Sequence, residues 1–134
     1  MKDKTPHAML FHGTSSSRLN GIIAAGRINP ASTGDRHVSL SECPEVASYF
    51  ANLAASADPG SVPVILVIDP ANLDVAPFSS ETWGRGACDW EREHASLKPV
   101  AIDSIRKIER PAPRPLSSFE HLRERNHAKK RNRR

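Results

Sequence analysis

The stretch MLFHGTSSSRLNGIIAAG, residues 9–26, decides the fold, because an apolar run there passes into helical spacing through a histidine, a glycine and a hydroxyl. HAMLF (7–11) reads as a short buried strand, with His12-Gly13-Thr14 at its end. Ser15 to Ser17 offer an N-cap, and Leu19, Ile22 and Ile23 sit at helical spacing. Gly26 suits the left-handed residue that stops a helix.

Outward from this stretch, HVSLS (37–41) alternates, Val38 and Leu40 on one face and Ser39 and Ser41 on the other, as in a half-buried strand. From Glu42 a second helix is expected, with Pro44 in its first turn and Val46, Tyr49/Phe50 and Leu53 as its apolar stripe. VPVILVID (62–69) is apolar throughout and reads as the central strand. PANLDVAPF predicts a turn and a short extended piece, and residues 79–90 a loop. EREHAS, KPVAI and SIRKIER (104–110) read as extended. PAPRP (111–115) reads as a stiff linker, and the serines after it predict a helix fraying into a basic end. No internal repeat is evident. Two early helices against a mostly antiparallel sheet make an α+β fold.

At 134 residues the chain is long enough for one core. The expected organisation is a catalytic domain over residues 1–110 and a Pro-rich linker with a basic tail over 111–134. Eight Lys/Arg against Glu120 and Glu124 give residues 111–134 a net charge of +6, which leaves the first 110 residues at about −2 within the chain's +4. The basic character therefore belongs to the tail. No segment approaches a membrane span of roughly 18 apolar residues, and MKDKTPHAMLF lacks a secretory signal pattern. Two cysteines, Cys43 and Cys88, without metal-ligand spacing point to a reducing cytoplasm.

Three clusters can carry chemistry. His12 offers a donor and an acceptor, Gly13 an unobstructed backbone and Thr14 a hydroxyl, a set suited to an amide-bearing ring or a ribose. Arg36 and His37 precede Ser39 and Ser41 and can meet a phosphate. In CDWEREHAS, Glu91 and Glu93 share one face if extended, and two like charges sharing a site would raise one of the two pKa values, as acid/base work requires. Trp90 can supply an apolar wall. Each cluster also has a plain structural reading, as a satisfied strand-end histidine or a solvated face.

Taken together, LFHGTSSSRLNGIIAAG, RHVSLSECPEVASYFA, VPVILVID and DWEREHASLKPVAIDSI resemble the ADP-ribosyltransferase superfamily over roughly residues 8–109. The resemblance implies a split β-sandwich of two small, mostly antiparallel sheets with two N-terminal helices. It also implies NAD as substrate, no metal, and transfer of ADP-ribose to a macromolecule. Glu93 is then the catalytic carboxylate and Glu91 its helper. His12 bonds a ribose hydroxyl, the Gly13 backbone meets the nicotinamide carboxamide, and Thr14, Ser39 and Ser41 line the pocket. One of Arg18, Arg27 and Arg36 faces the pyrophosphate. The tyrosine many members carry on the second strand is Ser39 here, and Tyr49 or Trp90 is its expected substitute. The first three segments are also similar to the RNA 2′-phosphotransferase branch, which uses NAD to remove a phosphate from RNA. A third possibility is a non-catalytic nucleic-acid-binding module, since the tail suits polyanions. The acceptor is a protein or RNA/DNA, and the role of a bacterial or phage toxin or effector, delivered into a target cell, fits such an activity.

Overall fold

The structure, a computed structural model, describes residues 9–30, 38–73, 75–77, 93–96 and 98–122. The residue 31–37 and 78–92 segments, with Arg36, Trp90 and Glu91, lie outside the described residues, as does the loop expected over 79–90.

Strand β1 (Leu10–Ser15) leads into helix α1 (Ser16–Ala25) and strand β2 (Arg27–Ile28). The Ser15 hydroxyl accepts from the Arg18 amide, and Gly26 closes α1 at φ 75°, both as the sequence predicts. Strand β3 (Val38–Ser41) and helix α2 (Pro44–Ser56) follow, with Pro44 in the first turn. Strand β4 (Pro63–Ile68) ends at a turn over Pro70–Asn72, capped by the Asp69 carboxylate. Strands β5 (Val75–Pro77), β6 (Glu93–Ser96), β7 (Val100–Ala101) and β8 (Ile105–Glu109) complete the set. Among the described residues, six strands form one sheet in the order β5-β6-β3-β1-β4-β8, and β2 pairs with β7 in a second. Every pairing is antiparallel. The fold is thus an α+β split sandwich, its sheets unequal in size.

Alternation along the strands divides the core in two. Leu10, Val38, Leu40, Val64, Leu66 and Ile68 face α1 and the small sheet, where Leu19, Ile28 and Val100 meet them. Ile65 and Phe11 face the other way, against Ala47 and Ala51 of α2. β4 is therefore apolar on both faces, which explains its unbroken run.

Two expectations about β1 are corrected. The His12-Gly13-Thr14 trio does not end β1: it pairs residue for residue with Leu66, Ile65 and Val64 of β4. The strand begins at Leu10, three residues later than the apolar run suggests. The chain beyond Arg110 lies against α2, burying Phe119 and Leu122 with Val46, Tyr49 and Phe50. Arg114 makes two hydrogen bonds to the Glu45 carboxylate, at 2.9 and 3.1 Å. Its guanidinium also lies 4.0 Å from the centre of the Phe119 ring. The Arg114 amide donates to Asn52 Oδ1, and His121 Nε2 lies 3.2 Å from Glu45. Hydrogen bonding to Arg114 holds the Glu45 carboxyl below its usual pKa. PAPRP is thus an anchored strap, with its proline-stiffened backbone limiting the entropy lost on docking.

Gly13 sits where α2 crosses β1. A Cβ there would lie 2.1 Å from the Ala47 carbonyl oxygen and 2.6 Å from the Ala51 nitrogen. Both are backbone atoms and cannot swing aside, so Gly13→Ala is expected to cost about 1–3 kcal/mol through overpacking, read from urea unfolding. Phe119 is 1% exposed, and Phe119→Ala is expected to cost roughly 3–5 kcal/mol. A loss below about 1 kcal/mol would return residues 111–122 to the status of a linker.

Candidate functional site

The site begins where one ladder stops. On its β4 side β1 is paired from Leu10 to Ser15, whereas on its β3 side the register contains the single pair Phe11↔Ser41. The Ser16 amide donates to the Val62 carbonyl at 2.9 Å, which sets the alternation of the strand. Thr14 and His12 turn their peptide groups toward β4, and Gly13 turns its N–H and C=O toward β3, where the ladder has ended.

At this break the His12 ring takes over. Its Nδ1 donates to the Ser39 carbonyl at 2.8 Å, so the second ring nitrogen, Nε2, is left with a lone pair to accept a hydrogen bond. Packing among protein atoms pushes the imidazole below its ordinary pKa. The Ser39 carbonyl opposes that shift and the Arg18 charge reinforces it. His12 is therefore a neutral acceptor at pH 7, aimed by its neighbour.

Two clefts flank the break. One, of about 170 Å³, lies toward α2 between Phe11, Gly13, Ser41, Phe50 and Leu53. The other, of about 310 Å³, lies toward α1 between Thr14, Ile22, Ile28, Asn29 and Val38. His12, Gly13, Arg18 and Ser39 border both. The two clefts thus share a polar border, while Phe11, Phe50 and Leu53 on one side and Ile22, Ile28 and Val38 on the other make their walls apolar.

Of the residues singled out from the sequence, His12, Gly13, Thr14, Ser39 and Ser41 come together here. Ser41 is buried, and its hydroxyl accepts from the Cys43 amide at the start of α2, a turn-forming role. The backbone of Glu93 pairs with Ser41. Glu93 thus lies one strand beyond β3, and β6 and β1 are separated by two strand spacings, about 10 Å. Tyr49 is not in either cleft. Its ring packs edge-on against Phe119 and Phe50, at 5.6 and 5.1 Å between centres. The correction follows from helical phase, since the strap covers the outer face of α2 and Phe50, one residue on, turns to the cleft. Phe50 and Phe11 are the aromatic walls that sequence reasoning missed. Among the candidate arginines, Arg18 borders both clefts, whereas Arg27 Nε donates to Asn29 Oδ1 at 3.0 Å. No cluster of three or more metal-ligating side chains occurs among the described residues.

The crystal structure of protein CC0527 from Caulobacter crescentus is similar to this chain, with a TM-score of 0.52 at 18% identity, over 86% of this chain and 98% of that one. The solution NMR structure of the same protein gives 0.50 at 17% identity, over 87% and 97%. At such identities the likeness concerns the fold. No protein-family model matches the chain, and no curated protein matches it.

The lowered His12 pKa has a sign that can be tested. Between that pKa and the ordinary value of 6.5, the unfolded chain binds more protons than the folded one, so stability rises with pH across this window. The contribution is complete above about 6.5 and is lost as the pH falls. His12→Gln is expected to flatten that slope. Nitrogen-detected NMR of the ring should show the Nδ1–H tautomer at pH 7, and a midpoint at or above 6.5 would contradict the geometry.

Proposed function

We propose that the chain is an NAD-dependent ADP-ribosyltransferase that transfers ADP-ribose to a macromolecular acceptor, protein or nucleic acid. The observation that carries this reading is the break between β1 and β3, where His12, Gly13, Arg18 and Ser39 border two neighbouring clefts. It agrees with the resemblance of the His-Gly-Thr, second-strand serine and glutamate motifs, in that order along the chain.

NAD has two ring-bearing halves joined by a charged pyrophosphate, which matches two clefts with Arg18 between them. In this reading the nicotinamide end takes the cleft walled by Phe50 and Phe11, its carboxamide bonded by the Gly13 backbone. His12 Nε2 accepts from a ribose hydroxyl. The nicotinamide–ribose bond then breaks, and its electron pair leaves with the nicotinamide. The ribose carbon becomes positively charged, and an acceptor oxygen or nitrogen attacks it and gives up a proton. Glu93 is assigned the two tasks of stabilising that charge and receiving that proton, with Glu91 as its helper. Ser39 and Ser41 shape the pocket.

No described helix is long and apolar enough to cross a membrane. The reading adds a cytoplasmic site of action, in the cell that makes the protein or in one to which it is delivered as a toxin or effector.

Labelled NAD incubated with the protein and a cell lysate is expected to mark a macromolecule and release nicotinamide. Glu93→Gln is expected to slow this by roughly 100-fold or more while leaving the NAD-induced rise in melting temperature intact. Absence of any thermal shift with NAD would remove the reading altogether. Loss of the 2′-phosphate from a phosphorylated RNA, undiminished in Glu93→Gln, would instead favour the phosphotransferase alternative.

A further inference from the structure

The far edge of the large sheet is unlike its opposite edge. β5, at one end, has three residues and finishes on Pro77, which has no N–H to offer. β8, at the other end, has five residues without proline, and no described strand pairs with its outer side. Natural proteins cover or blunt such an edge because it invites pairing with another chain. Beside it runs a largely apolar groove of about 320 Å³ between Leu19, Ile23, Ile102, Ile105 and Ile108, with Arg106 and Lys107 also on its border. Ile23 and Ile108 are 52% and 38% exposed.

The register shows which backbone groups look outward. Lys107 and Glu109 pair with Val67 and Ile65, and the alternation of β4 turns the peptide groups of those two residues toward β8. Lys107 and Glu109 therefore bond inward, and Ile108 presents its N–H and C=O to solvent.

We propose that β8 pairs with β8 of a second copy of this chain across a two-fold axis at Ile108, joining the two sheets into one. The two-fold constraint selects the register. An axis at Lys107 sets two lysines face to face, and an axis at Glu109 sets two glutamates face to face. An axis at Ile108 brings the two isoleucines together, their outward peptide groups exchanging both hydrogen bonds. It also places each Lys107 opposite Glu109 of the other copy. Lys107 and Glu109 are already 3.3 Å apart within one strand, so four charges alternate in sign across the seam. Arg106 then faces Arg110 of the second copy, and that charge is held by Asp69 at 3.5 Å and by the Asp103 carbonyl. The groove on each side receives the apolar flank of the other copy, a self-complementary contact of the kind two-fold dimers use.

Sedimentation of the full chain across the micromolar range decides the matter, and it does not depend on any catalytic reading. The wild type is expected at twice the single-chain mass. Lys107→Glu sets like charges opposite each other twice and is expected to weaken association at least about tenfold. The double exchange Lys107→Glu with Glu109→Lys restores opposite charges and is expected to restore the dimer, with circular dichroism confirming the fold throughout. A wild-type chain that stays monomeric overturns the proposal, whether the edge then takes a strand of another protein or none. A double exchange that fails to recover the dimer overturns the register at Ile108.

Discussion

One hydrogen bond takes the place of a ladder. After Phe11 and Ser41 the pairing of β1 with β3 ends, and the next link between the two strands is the His12 ring on the Ser39 carbonyl. A continued ladder would direct the Gly13 peptide groups into β3 and seal the sheet between its faces. With the imidazole in that place, the strands remain tied where the ladder has stopped, and His12, Gly13, Arg18 and Ser39 border a cleft on each side. The same bond fixes the ring's tautomer, so the feature that ties the strands also sets what the histidine can offer a ligand.

One cleft needs a wall, and α2 supplies it under tight steric terms. Its contact with β1 is made by Ala47 and Ala51, whose small side chains let the helix backbone reach the Gly13 α-carbon. Phe50 and Leu53 turn from this seam to the cleft. On its far side the helix is gripped by Arg114, Phe119 and Leu122, through paired hydrogen bonds, ring contacts and burial. α2 is thus held from both sides, by Gly13 and Ile65 on one and by the strap on the other.

Much of this was legible in the residues. Helices α1 and α2, the Ser15 and Gly26 caps of the first, Pro44 in the first turn of the second, the half-buried VSLS strand and the apolar β4 follow from periodicity and turn chemistry. The His12-Gly13-Thr14 trio and the two serines were legible as residues that belong together, and they border the clefts. What escaped depends on contacts distant in sequence. The two-residue strand β2 has no pattern of its own and exists because Val100 and Ala101 pair with it. Gly13 reads as room for a ligand, whereas the room beside its α-carbon is filled by a helix over thirty residues on. Proline spacing in PAPRP suggests a linker, and only Phe119 and Leu122, reaching a stripe on α2 near the middle of the chain, make it part of the core. Tyr49 and Phe50 are adjacent aromatics, and only that docking decides which one faces the cleft.

The strap also orders events during synthesis. Glu45 and Arg114, which clasp each other, are 69 positions apart, so a nascent chain displays α2 with one side bare until residues 114–122 have been made. Val46 and Tyr49 remain open to water, and to chaperones, over that interval. The cleft wall thus gains this support only once residues 114–122 have been synthesised, and a ribosome stalled before them would hold an α2 with that face uncovered.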